Sequence, residues 1–324
     1  MRAASYRRRG PVQDVVTVGE VDEPRPGPGE VRVAVAVSGV NPTDWKSAEG
    51  TAPLPHPLQV PNQDGAGVIE SVGEGVDPVR VGQRVWLFHA AQDRPWGTAA
   101  ELSVVPAGQA VPLPDSVSLD QGAGIGIPAI TAHGVLTSDG PIAGRTVLVA
   151  GGAGAVGHAA IELAVRAGAR VITTVSSAEK AELARAAGAH GVVNYRDPDA
   201  AAQVRALAPD GVDRIVELAL GTNLELDLAV IAPHGVIVTY GAEPGGDPVV
   251  PVRRLMTDNL TLRFALVYHF TERQIEDAVR EICDALEAGD LSPLPAVRFP
   301  LDRTADALAA VKAGAVGKVL VDIG

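Results

Sequence analysis

Cysteine is almost absent from this chain, since Cys283 is the only one among its 324 residues. An intrachain disulfide is therefore excluded, and so is a zinc site built from several cysteines. Cys283 lies in a segment with helical spacing, and we interpret it as a small core residue rather than as a nucleophile. Aromatic residues are also scarce, at 3% of the chain, so the core must be packed mainly from the aliphatic part of the 46% hydrophobic residues.

Positive charge is in deficit, because 27 Lys and Arg residues stand against 39 Asp and Glu residues and leave a formal net charge of −12. This balance argues against nucleic acid as the main partner, since phosphate binding requires a basic surface. The three arginines at 7–9 are interpreted as a solvated edge. No run of about 20 apolar residues could span a membrane, and no apolar segment near the N-terminus resembles a secretory signal. We therefore expect a soluble cytoplasmic protein.

What the chain does contain is a strand–turn–helix signature at residues 147–157. Apolar residues predict a buried parallel strand, the glycines Gly151, Gly154 and Gly157 predict a turn, and the residues that follow have helical spacing. Glycines let the backbone approach a pyrophosphate, and the first N–H groups of the following helix favour its negative charge. The pattern is G-x-x-G-x-x-G rather than the strict G-x-G-x-x-G, so an ordinary strand-to-helix turn is the alternative interpretation. Ala155 and Val156 complete this set of candidate cofactor-binding residues.

The chain divides into segments with different patterns. Residues 1–120 are rich in Val, Gly and Pro, and their short alternating runs predict an irregular β domain. Between residues 125 and 260, strand-like segments alternate with Ala-rich helical segments. The strand-like segments are Thr146–Ala150, Arg170–Val175, 214–218 and 235–240. Repeated βα units predict a doubly wound parallel sheet, so the fold class is α/β. A helix at 271–288 and a last strand at 317–322 follow.

The end of the second strand of this βαβ unit bears on the choice of nicotinamide cofactor. An NAD-binding unit usually carries Asp or Glu there for the ribose hydroxyls, about 20 residues past the glycines. This chain has Val175 and Ser176 at that point, followed by Ser177 and Lys180. The missing acid removes the repulsion of a 2′-phosphate, and the two serines and the lysine could bind it, so the sequence favours NADPH. Alternatively, Ser177 only caps the next helix and Lys180 is solvated.

Short phrases along almost the whole chain carry a family resemblance. Besides the glycine signature they are GVNPTDWK (39–46), DGAGVIESVG (64–73), VGQRV (81–85), GTAAE (97–101), PAITA (128–132), GAHGVVNY (188–195) and GKV (317–319). In this order they resemble the medium-chain dehydrogenase/reductase superfamily, and within it the zinc-free quinone oxidoreductase (zeta-crystallin-like) family.

The resemblance implies a division into two domains. A GroES-like catalytic domain would comprise residues 1–123 and 262–324, a Rossmann dinucleotide-binding domain would comprise residues 124–261, and a cleft would lie where they meet. The resemblance also implies a homodimer that pairs sheet edges near the apolar segment 261–268. An exposed apolar edge strand is a liability unless it is covered, which agrees with that expectation.

The positions that bind catalytic zinc in alcohol dehydrogenases of this superfamily carry other residues here. Asn41 stands where a Cys ligand would be, and Asn62-Gln63-Asp64 replaces a Gly-His-Glu phrase. Amides are poor zinc ligands, and without zinc nothing acidifies an alcohol at neutral pH. The histidines are scattered without metal-ligand spacing, so we expect no metal site. Zinc-free relatives use NADPH to reduce quinones, or carbon–carbon double bonds conjugated to a carbonyl.

Lys46, Asn41 and Asp64 are the candidate catalytic residues. Lys46 ends a phrase on the loop expected to line the cleft, as it does in polyketide-type enoyl reductases of the superfamily. Desolvation can lower the pKa of a lysine, so Lys46 is a candidate proton donor, or else a surface lysine at a loop end. Asn41 could hydrogen-bond the cofactor or substrate, or only begin an Asn-Pro turn. Asp44 and Asp64 could pair with Lys46 or Arg84, and we favour a structural role for both acids.

Further residues complete the candidate sites. The additional cofactor-binding candidates, which rest on the resemblance, are Thr131, Tyr195, Gly241, Phe264 and Lys318. Aromatic side chains could line a pocket for a flat substrate, although core packing is favoured for any single one of them. These aromatic residues are Trp45, Phe88, Trp96 and Tyr268.

Three functions follow from the sequence. The favoured one is zinc-independent, NADPH-dependent hydride transfer to a quinone or a conjugated carbonyl compound. The alternative is an NADPH-dependent enoyl or alkenal reductase in a biosynthetic pathway, which Lys46 favours, and the third is a non-catalytic NADPH-binding protein. The substrate stays open, because a fold does not fix a function and the loops at 45–60 and 86–97 carry the specificity.

Overall fold

The computed structural model describes residues 1–241 and 247–324. The chain forms two compact units, one of residues 1–127 and 293–324 and one of residues 128–292. The strands are β1 (Arg2–Ser5), β2 (Thr17–Glu20), β3 (Glu30–Gly39), β4 (Asp64–Val72), β5 (Arg84–Leu87), β6 (Leu102–Pro106), β7 (Ala110–Pro112), β8 (Thr146–Ala150), β9 (Arg170–Val175), β10 (Gly191–Asn194), β11 (Val212–Glu217), β12 (Ile231–Thr239), β13 (Thr261–Phe264), β14 (Ala296–Pro300) and β15 (Lys318–Asp322). The helices are α1 (Val12–Val15), α2 (Pro42–Glu49), α3 (Leu119–Thr137), α4 (Ala155–Arg166), α5 (Ala178–Ala186), α6 (Ala200–Leu207), α7 (Leu220–Val230), α8 (Val252–Thr257), α9 (Glu272–Ala288) and α10 (Thr304–Lys312).

The first unit is built on a mixed sheet of order β14-β15-β3-β4-β5-β7, in which β6 also pairs with β3. Strand β3 is central, and Val31 and Val33 on alternate positions are fully buried, as a strand with one core face requires. The C-terminal strand β15 pairs antiparallel with β3 and places Leu320 opposite Gly39. On the other side of β3, Gly39 lies opposite Asp64 of β4. The start of β15 and the start of β4 are thereby brought together at the end of β3.

The second unit is built on a parallel sheet of order β10-β9-β8-β11-β12-β13. The chain proceeds outward from β8 through β9 and β10 and then returns to β11 on the other side. In open sheets of this kind, ligands bind outside the carboxyl ends of the strands where the order reverses, which here is between β8 and β11. The predicted α/β fold with a doubly wound parallel sheet is confirmed. The bounds predicted for β8 and β9 agree with the structure, whereas β11 and β12 begin earlier than predicted.

The boundaries between the units differ from those expected. The sequence placed the return to the first unit at residue 262, whereas residues 262–292 belong to the second unit. The cause is β13, which pairs in parallel with β12 and adds a sixth strand to the sheet. The first boundary falls between residues 127 and 128, inside α3, rather than at 123. The sequence pattern of an apolar strand or helix is the same whichever unit the element joins. The pattern alone therefore could not assign these segments to a unit or place the boundaries.

Helix α9 is amphipathic and confirms the helix predicted at 271–288. It begins with a capping box between Thr271 and Gln274 and ends at Gly289, whose φ of +74° is left-handed. Cys283 is half-buried on this helix, next to the fully buried Ile282. In the part of the chain that the structure describes, no helix is long and apolar enough to cross a membrane.

Candidate functional site

The predicted glycine turn, residues 151–157, lies at the carboxyl end of β8, beside the reversal of strand order. Gly151 has a φ of +70°, a left-handed conformation that favours glycine. The N–H of Gly154 donates to the carbonyl oxygen of Gly151 over 2.9 Å and closes the turn. A Cβ atom on Gly157 would lie 2.3 Å from that same oxygen, so a side chain cannot be accommodated without movement of the backbone.

The geometry of the glycine turn fits the pyrophosphate of a dinucleotide. Helix α4 begins at Ala155, so Ala155, Val156 and Gly157 occupy its first turn. The N–H groups of a first helical turn have no partner within the helix, and the helix dipole adds positive potential at the same end. Two properties that an anion site needs, free N–H donors and close backbone approach, therefore coincide in this turn.

The residues assigned to a 2′-phosphate lie at the end of β9, the strand next to β8. The Oγ atom of Ser177 accepts a hydrogen bond of 3.3 Å from the backbone N–H of Lys180, which caps helix α5. The Nζ atom of Lys180 donates to the Oγ atom of Ser176 over 3.2 Å, so this ammonium is held at the strand end rather than extended into solvent. The backbone N–H of Tyr195 donates to the carbonyl of Val175 over 3.1 Å and places an exposed ring beside the same strand end.

The remaining candidates of the second unit are less closely grouped. A Cβ atom on Gly241 would lie 2.3 Å from the carbonyl oxygen of Leu218, and one on Gly151 would lie 2.5 Å from the Leu218 side chain. Gly241 therefore belongs to the same strand-end region as the glycine turn. Thr131 is buried on α3. Phe264 ends the edge strand β13, and the position of this strand in the sheet, three strands away from β8, separates Phe264 from the glycine turn. Its side chain is 75% exposed.

A buried polar cluster, which we define as Asn41, Asp44, Asp64 and Lys318, lies within the first unit. The Nδ2 atom of Asn41 donates to the Oδ2 atom of Asp64 over 2.6 Å, and its Oδ1 atom accepts from the Nζ atom of Lys318 over 2.8 Å. The Lys318 Nζ atom also lies 3.7 Å from Asp64 Oδ2. The sequence placed Lys318 among the cofactor contacts, whereas the structure buries it and engages its ammonium with the two candidate catalytic residues.

Close packing of helix α3 completes the surroundings of Asp64. The Oδ1 atom of Asp64 accepts a hydrogen bond of 2.8 Å from the backbone N–H of Ile127. This approach requires glycine at position 126, because a Cβ atom there would lie 2.5 Å from Asp64 Oδ1. With Asp64 fully buried, its carboxylate depends on the amide of Asn41, this N–H and the ammonium of Lys318.

Asp44 lies in the first turn of helix α2 and helps to cap it, which is the structural role that the sequence favoured for it. Its Oδ2 atom accepts from the backbone N–H of Asn41 over 2.7 Å and forms a capping box. Neither acid takes the partner considered in the sequence. Arg84 instead donates to backbone carbonyls between β7 and α3, and Asp64 pairs with Lys318.

Desolvation dominates the proton affinities in the buried polar cluster. Burial raises the pKa of Asp44 to about 8, with the Asn41 backbone N–H opposing this and the charge of Asp64 adding to it. Burial also raises the pKa of Asp64 to about 6, against the lowering effects of Lys318 and Asn41. Burial lowers the pKa of Lys318, against the attraction of the two acids. Near neutral pH, these shifts therefore favour the protonated form of Asp44, while the Nζ atom of Lys318 stays within 3.7 Å of the Asp64 carboxyl group.

The variant Asp44→Asn tests the protonation of Asp44. Asn keeps an oxygen that can accept the capping bond but cannot titrate. The pKa of Asp44 is about 8 in the folded chain against an ordinary value of 3.8, so between these values the folded state holds a proton that the unfolded state has released. Relative to the variant, the wild type should therefore lose about 1.4 kcal/mol of stability per unit as pH rises through this window. Urea unfolding of both proteins at pH 5, 6, 7 and 8 measures the difference. Parallel profiles would mean that Asp44 is ionised in the folded protein.

Lys46 does not belong to the buried polar cluster. Its side chain is exposed on α2, with Nζ 5.7 Å from the centroid of the Trp45 ring. The proton-donor hypothesis relied on desolvation of the amine, which an exposed position does not provide. Trp45 is half-buried against the core of the first unit, and Lys312 Nζ lies 5.3 Å from its ring centroid. The structure thus favours the surface interpretation of Lys46.

The other aromatic candidates are placed by packing. Phe88 is 3% exposed, with its ring centroid 5.7 Å from that of Trp86, so the structure favours core packing for Phe88, the alternative considered in the sequence. Trp96 is half-buried and packs against the core of the first unit. Tyr268 is half-buried in a short turn after β13, in the second unit.

The positions that correspond to zinc ligands serve structural purposes. The Nδ2 atom of Asn62 donates to the Oγ atom of Ser38 over 2.9 Å, and the Oε1 atom of Gln63 accepts from the backbone N–H of Ala91 over 3.1 Å. Across residues 1–241 and 247–324, no group of three or more His, Cys, Asp or Glu side chains is arranged to hold a metal ion.

Sequence reasoning missed an acid pair in the second unit, Glu217 and Asp227. Both side chains are buried, at 0% and 1% exposure. The available signal was a glutamate at the end of an apolar strand, in a position where a solvated side chain would not be expected. Its partner on α7 could not be identified without the packing of that helix on β11.

Comparison with known proteins adds a family assignment. Residues 27–115 match the family described as alcohol dehydrogenase GroES-like domain, and residues 155–284 match the family described as zinc-binding dehydrogenase. The quinone oxidoreductase of Rattus norvegicus is 29% identical over 326 residues, which cover 99% of this chain and 97% of that protein. The 2-haloacrylate reductase of a Burkholderia species is 32% identical over 321 residues, which cover 95% and 94%.

Solved structures agree with these relatives. A structure described as an NAD-dependent alcohol dehydrogenase superimposes with a TM-score of 0.89 at 29% identity and covers 100% of both chains. The mycobacterial protein Rv1454c, in complex with NADPH, superimposes with a TM-score of 0.87 at 31% identity and covers 99% of this chain and 100% of that one.

Proposed function

This chain belongs to the medium-chain dehydrogenase/reductase superfamily, and we propose that it is a zinc-independent, NADPH-dependent oxidoreductase that transfers a hydride to a quinone or a conjugated carbonyl compound. The observation that carries this proposal is the glycine turn at the carboxyl end of β8, where Gly157 leaves room for only a bare backbone. Full-length similarity to a quinone oxidoreductase supports the choice of acceptor.

NADPH would supply the hydride, and the chain supplies its binding and orientation. The N–H groups at the start of α4 would hold the pyrophosphate, while Lys180 and Ser176 would hold the 2′-phosphate. The complex of Rv1454c with NADPH supports this choice, although the NAD-dependent alcohol dehydrogenase has a similar TM-score. The structural bonds of Asn62 and Gln63 support the absence of catalytic zinc.

The reduced product must also take up a proton. Within the first unit, Asp44 holds one near neutral pH. The side chain of Lys46, by contrast, is exposed. We therefore propose the buried polar cluster, rather than Lys46, as the part of this chain that supplies this proton, with Asn41 holding Asp64 and Lys318 in position.

The deciding experiment is NADPH consumption by the purified protein with an ortho-quinone and with an α,β-unsaturated ketone, in parallel with NADH. We expect turnover of the quinone with NADPH and little with NADH, unchanged by a metal chelator. A protein that binds NADPH but consumes it with neither acceptor would overturn the proposal in favour of a non-catalytic binding protein.

A second candidate function is reduction of an activated carbon–carbon double bond. The specific observation that favours it is the similarity to a 2-haloacrylate reductase, at 32% identity over almost the whole chain. Turnover of the unsaturated ketone without turnover of the quinone would move the assignment to this enoyl or alkenal class.

The variant Lys180→Ala is expected to weaken NADPH binding about tenfold and to leave NADH binding unchanged. Loss of one charge-assisted contact to a phosphate accounts for a change of this size. The control is Lys312→Ala, which removes a lysine that pairs with Glu49 in the first unit. Titration of cofactor fluorescence measures both affinities. Equal weakening for NADPH and NADH would contradict the assignment of Lys180 to the 2′-phosphate.

We also propose that the protein is a homodimer that pairs through the edge strand β13. Phe264 ends this edge strand and is 75% exposed, and Met256 and Val252 on the preceding helix α8 are 70% and 62% exposed. Phe264→Asp should convert a dimer into a monomer in sedimentation velocity, because a charge cannot be buried at an apolar contact without a partner. Val79→Asp is the control, since Val79 is equally exposed, at 79%, in the first unit. A monomeric wild type at micromolar concentration would contradict this proposal.

A further inference from the structure

The three arginines near the N-terminus, which the sequence placed on a solvated edge, have different surroundings in the structure. Two of them are exposed, whereas Arg9 is half-buried. On one side of Arg9, Tyr6 and Gln59 exchange two backbone hydrogen bonds of 2.9 Å. On the other side, the backbone N–H of Gly10 donates to the carbonyl oxygen of Ala48 over 2.9 Å. Arg9 is thereby held beside the last turn of helix α2.

Arg9 lines a cavity of about 110 Å³ within the first unit, which also involves helix α2 and the loop that precedes β4. The volume is several times what one water molecule requires. The polar lining includes Tyr6 and Asp44, which are 3% and 2% exposed, and the apolar lining includes Leu54 and Pro61. The cavity therefore has room for a small polar group together with a short carbon chain.

The positive charge of Arg9 is not offset by an ion pair with any of the described residues. Its Nη1 atom donates to the backbone carbonyl oxygen of Ser47. Its Nε atom is buried without a hydrogen-bond partner, and no described residue accepts from Nη2. The N–H groups of Nε and Nη2 share one edge of the planar guanidinium, and their spacing matches the two oxygens of a carboxylate. Arg9 therefore keeps free the edge that binds carboxylates.

Tyr6 offers a second donor in the same cavity. Its phenol hydroxyl makes no hydrogen bond to the part of the chain that the structure describes, although the residue is almost fully buried. Buried hydroxyl groups normally have a partner, so this one is available to a ligand. Burial raises the pKa of Tyr6 to about 12, which keeps the phenol protonated and able to donate.

Asp44 connects the cavity with the buried polar cluster, because it is a member of the cluster and also lines the cavity. An ionised Asp44 would repel an anion, but its pKa, raised by burial to about 8, favours the neutral acid near pH 7. Asp44 is the one acid among the described residues of the lining. The Oδ1 atom of Asn62 is a buried acceptor without a partner, which a water molecule beside a ligand would satisfy. The lining as a whole therefore favours an anion.

We propose that this cavity is a carboxylate-binding subsite, in which the guanidinium of Arg9 and the hydroxyl of Tyr6 hold the carboxylate, and that the acceptor of the reaction carries this carboxylate on its conjugated double bond. The second part rests on the proposed function, since Asp44 places the cavity beside the cluster proposed to supply the proton. It narrows the conjugated carbonyl compounds to short unsaturated keto acids.

Binding is tested first, without turnover. Levulinate (4-oxopentanoate) carries the carboxylate but has no double bond to reduce, and methyl levulinate is its uncharged counterpart. Isothermal titration calorimetry with the full-length protein at pH 7 should show binding of levulinate and none of the ester. We expect about tenfold weaker binding by Arg9→Gln and about threefold weaker binding by Tyr6→Phe, which keeps the ring. Arg8→Gln is the matched control, because Arg8 is exposed and donates to the backbone of Asp14.

Turnover then identifies the source of the carboxylate. The acceptors 4-oxo-2-pentenoate and 3-penten-2-one differ only by a carboxylate in place of a methyl group. Reduction of the keto acid consumes one hydride, which converts NADPH to NADP⁺, and one proton, and it gives levulinate. We expect a KM about tenfold lower for the keto acid than for the ketone. Arg9→Gln should abolish this preference and leave kcat with 3-penten-2-one unchanged.

The outcomes separate the subsite from the reaction. Absence of levulinate binding, or equal affinity in the wild type, Arg9→Gln and Tyr6→Phe, overturns the subsite. Levulinate binding without a lower KM for the keto acid overturns the second part, and a free carboxylate is then the ligand. Absence of NADPH consumption with both acceptors rejects the proposed function, whereas the calorimetric result continues to support the subsite.

Discussion

Replacement of Gly157 by Ala is expected to weaken NADPH binding about a hundredfold, equivalent to about 2.8 kcal/mol. The Cβ atom would lie 2.3 Å from the carbonyl oxygen and 2.9 Å from the carbonyl carbon of Gly151, and 3.0 Å from the Cα atom of Gly152. All three are backbone atoms of the glycine turn, so no side-chain rotation relieves the contact. The turn must open, and the N–H groups at the start of α4 lose the arrangement that favours a pyrophosphate.

Cofactor fluorescence titration measures the affinity of Gly157→Ala, and urea unfolding measures its stability. We expect a loss of stability of about 1–3 kcal/mol, the usual range for an overpacked site. Gly154→Ala is the control for stability, because its Cβ atom would lie 3.3 Å from Gly151 O and its φ of −78° suits any residue. Folded Gly157→Ala that binds NADPH as tightly as the wild type would show that the cofactor binds elsewhere.

The variant Lys318→Met is expected to destabilise the protein by about 3–5 kcal/mol at pH 8, because it leaves the buried charge of Asp64 without its cation. The loss should shrink towards pH 5. The pKa of Asp64 is already raised to about 6, and removal of Lys318 raises it further. A carboxyl group with a raised folded pKa loses stability as pH rises through that value, so the penalty is largest at high pH.

A double variant separates the charge from the shape of the site. Asp64→Asn combined with Lys318→Met removes both charges and should recover most of the lost stability, since paired charges are replaced by neutral groups of similar size. Lys312→Met is the matched control. Lys312 pairs with Glu49 with 47% of its side chain exposed, so its loss should cost less than about 1 kcal/mol. If Lys318→Met unfolds at the same urea concentration as the wild type at pH 8, the ion pair does not hold the cluster together.

Individual residues show which features could be predicted from the sequence and which could not. The glycine turn and the bounds of β8 and β9 could be predicted, because a parallel strand, a glycine turn and a helix each depend on neighbours a few positions away. The position of Lys46 at the end of GVNPTDWK makes it a candidate proton donor. Whether its amine is desolvated depends on which residues pack over it, and the neighbouring sequence does not contain that information. The burial of Phe88 and the contacts of Lys318 with Asn41 and Asp64 could not be predicted for the same reason, because both depend on distant parts of the chain.

The sequence by itself determined the α/β class, the glycine turn and its strand-end setting, and membership of the superfamily, because all three rest on local patterns and their order along the chain. Tertiary structure alone decided the acid–base groups. Asn41 meets Asp64 across 23 positions and Lys318 across 277, through the pairing of β3 with β4 and β15. Proton affinities follow from burial and from such distant partners, and both come into existence only when the sheets form.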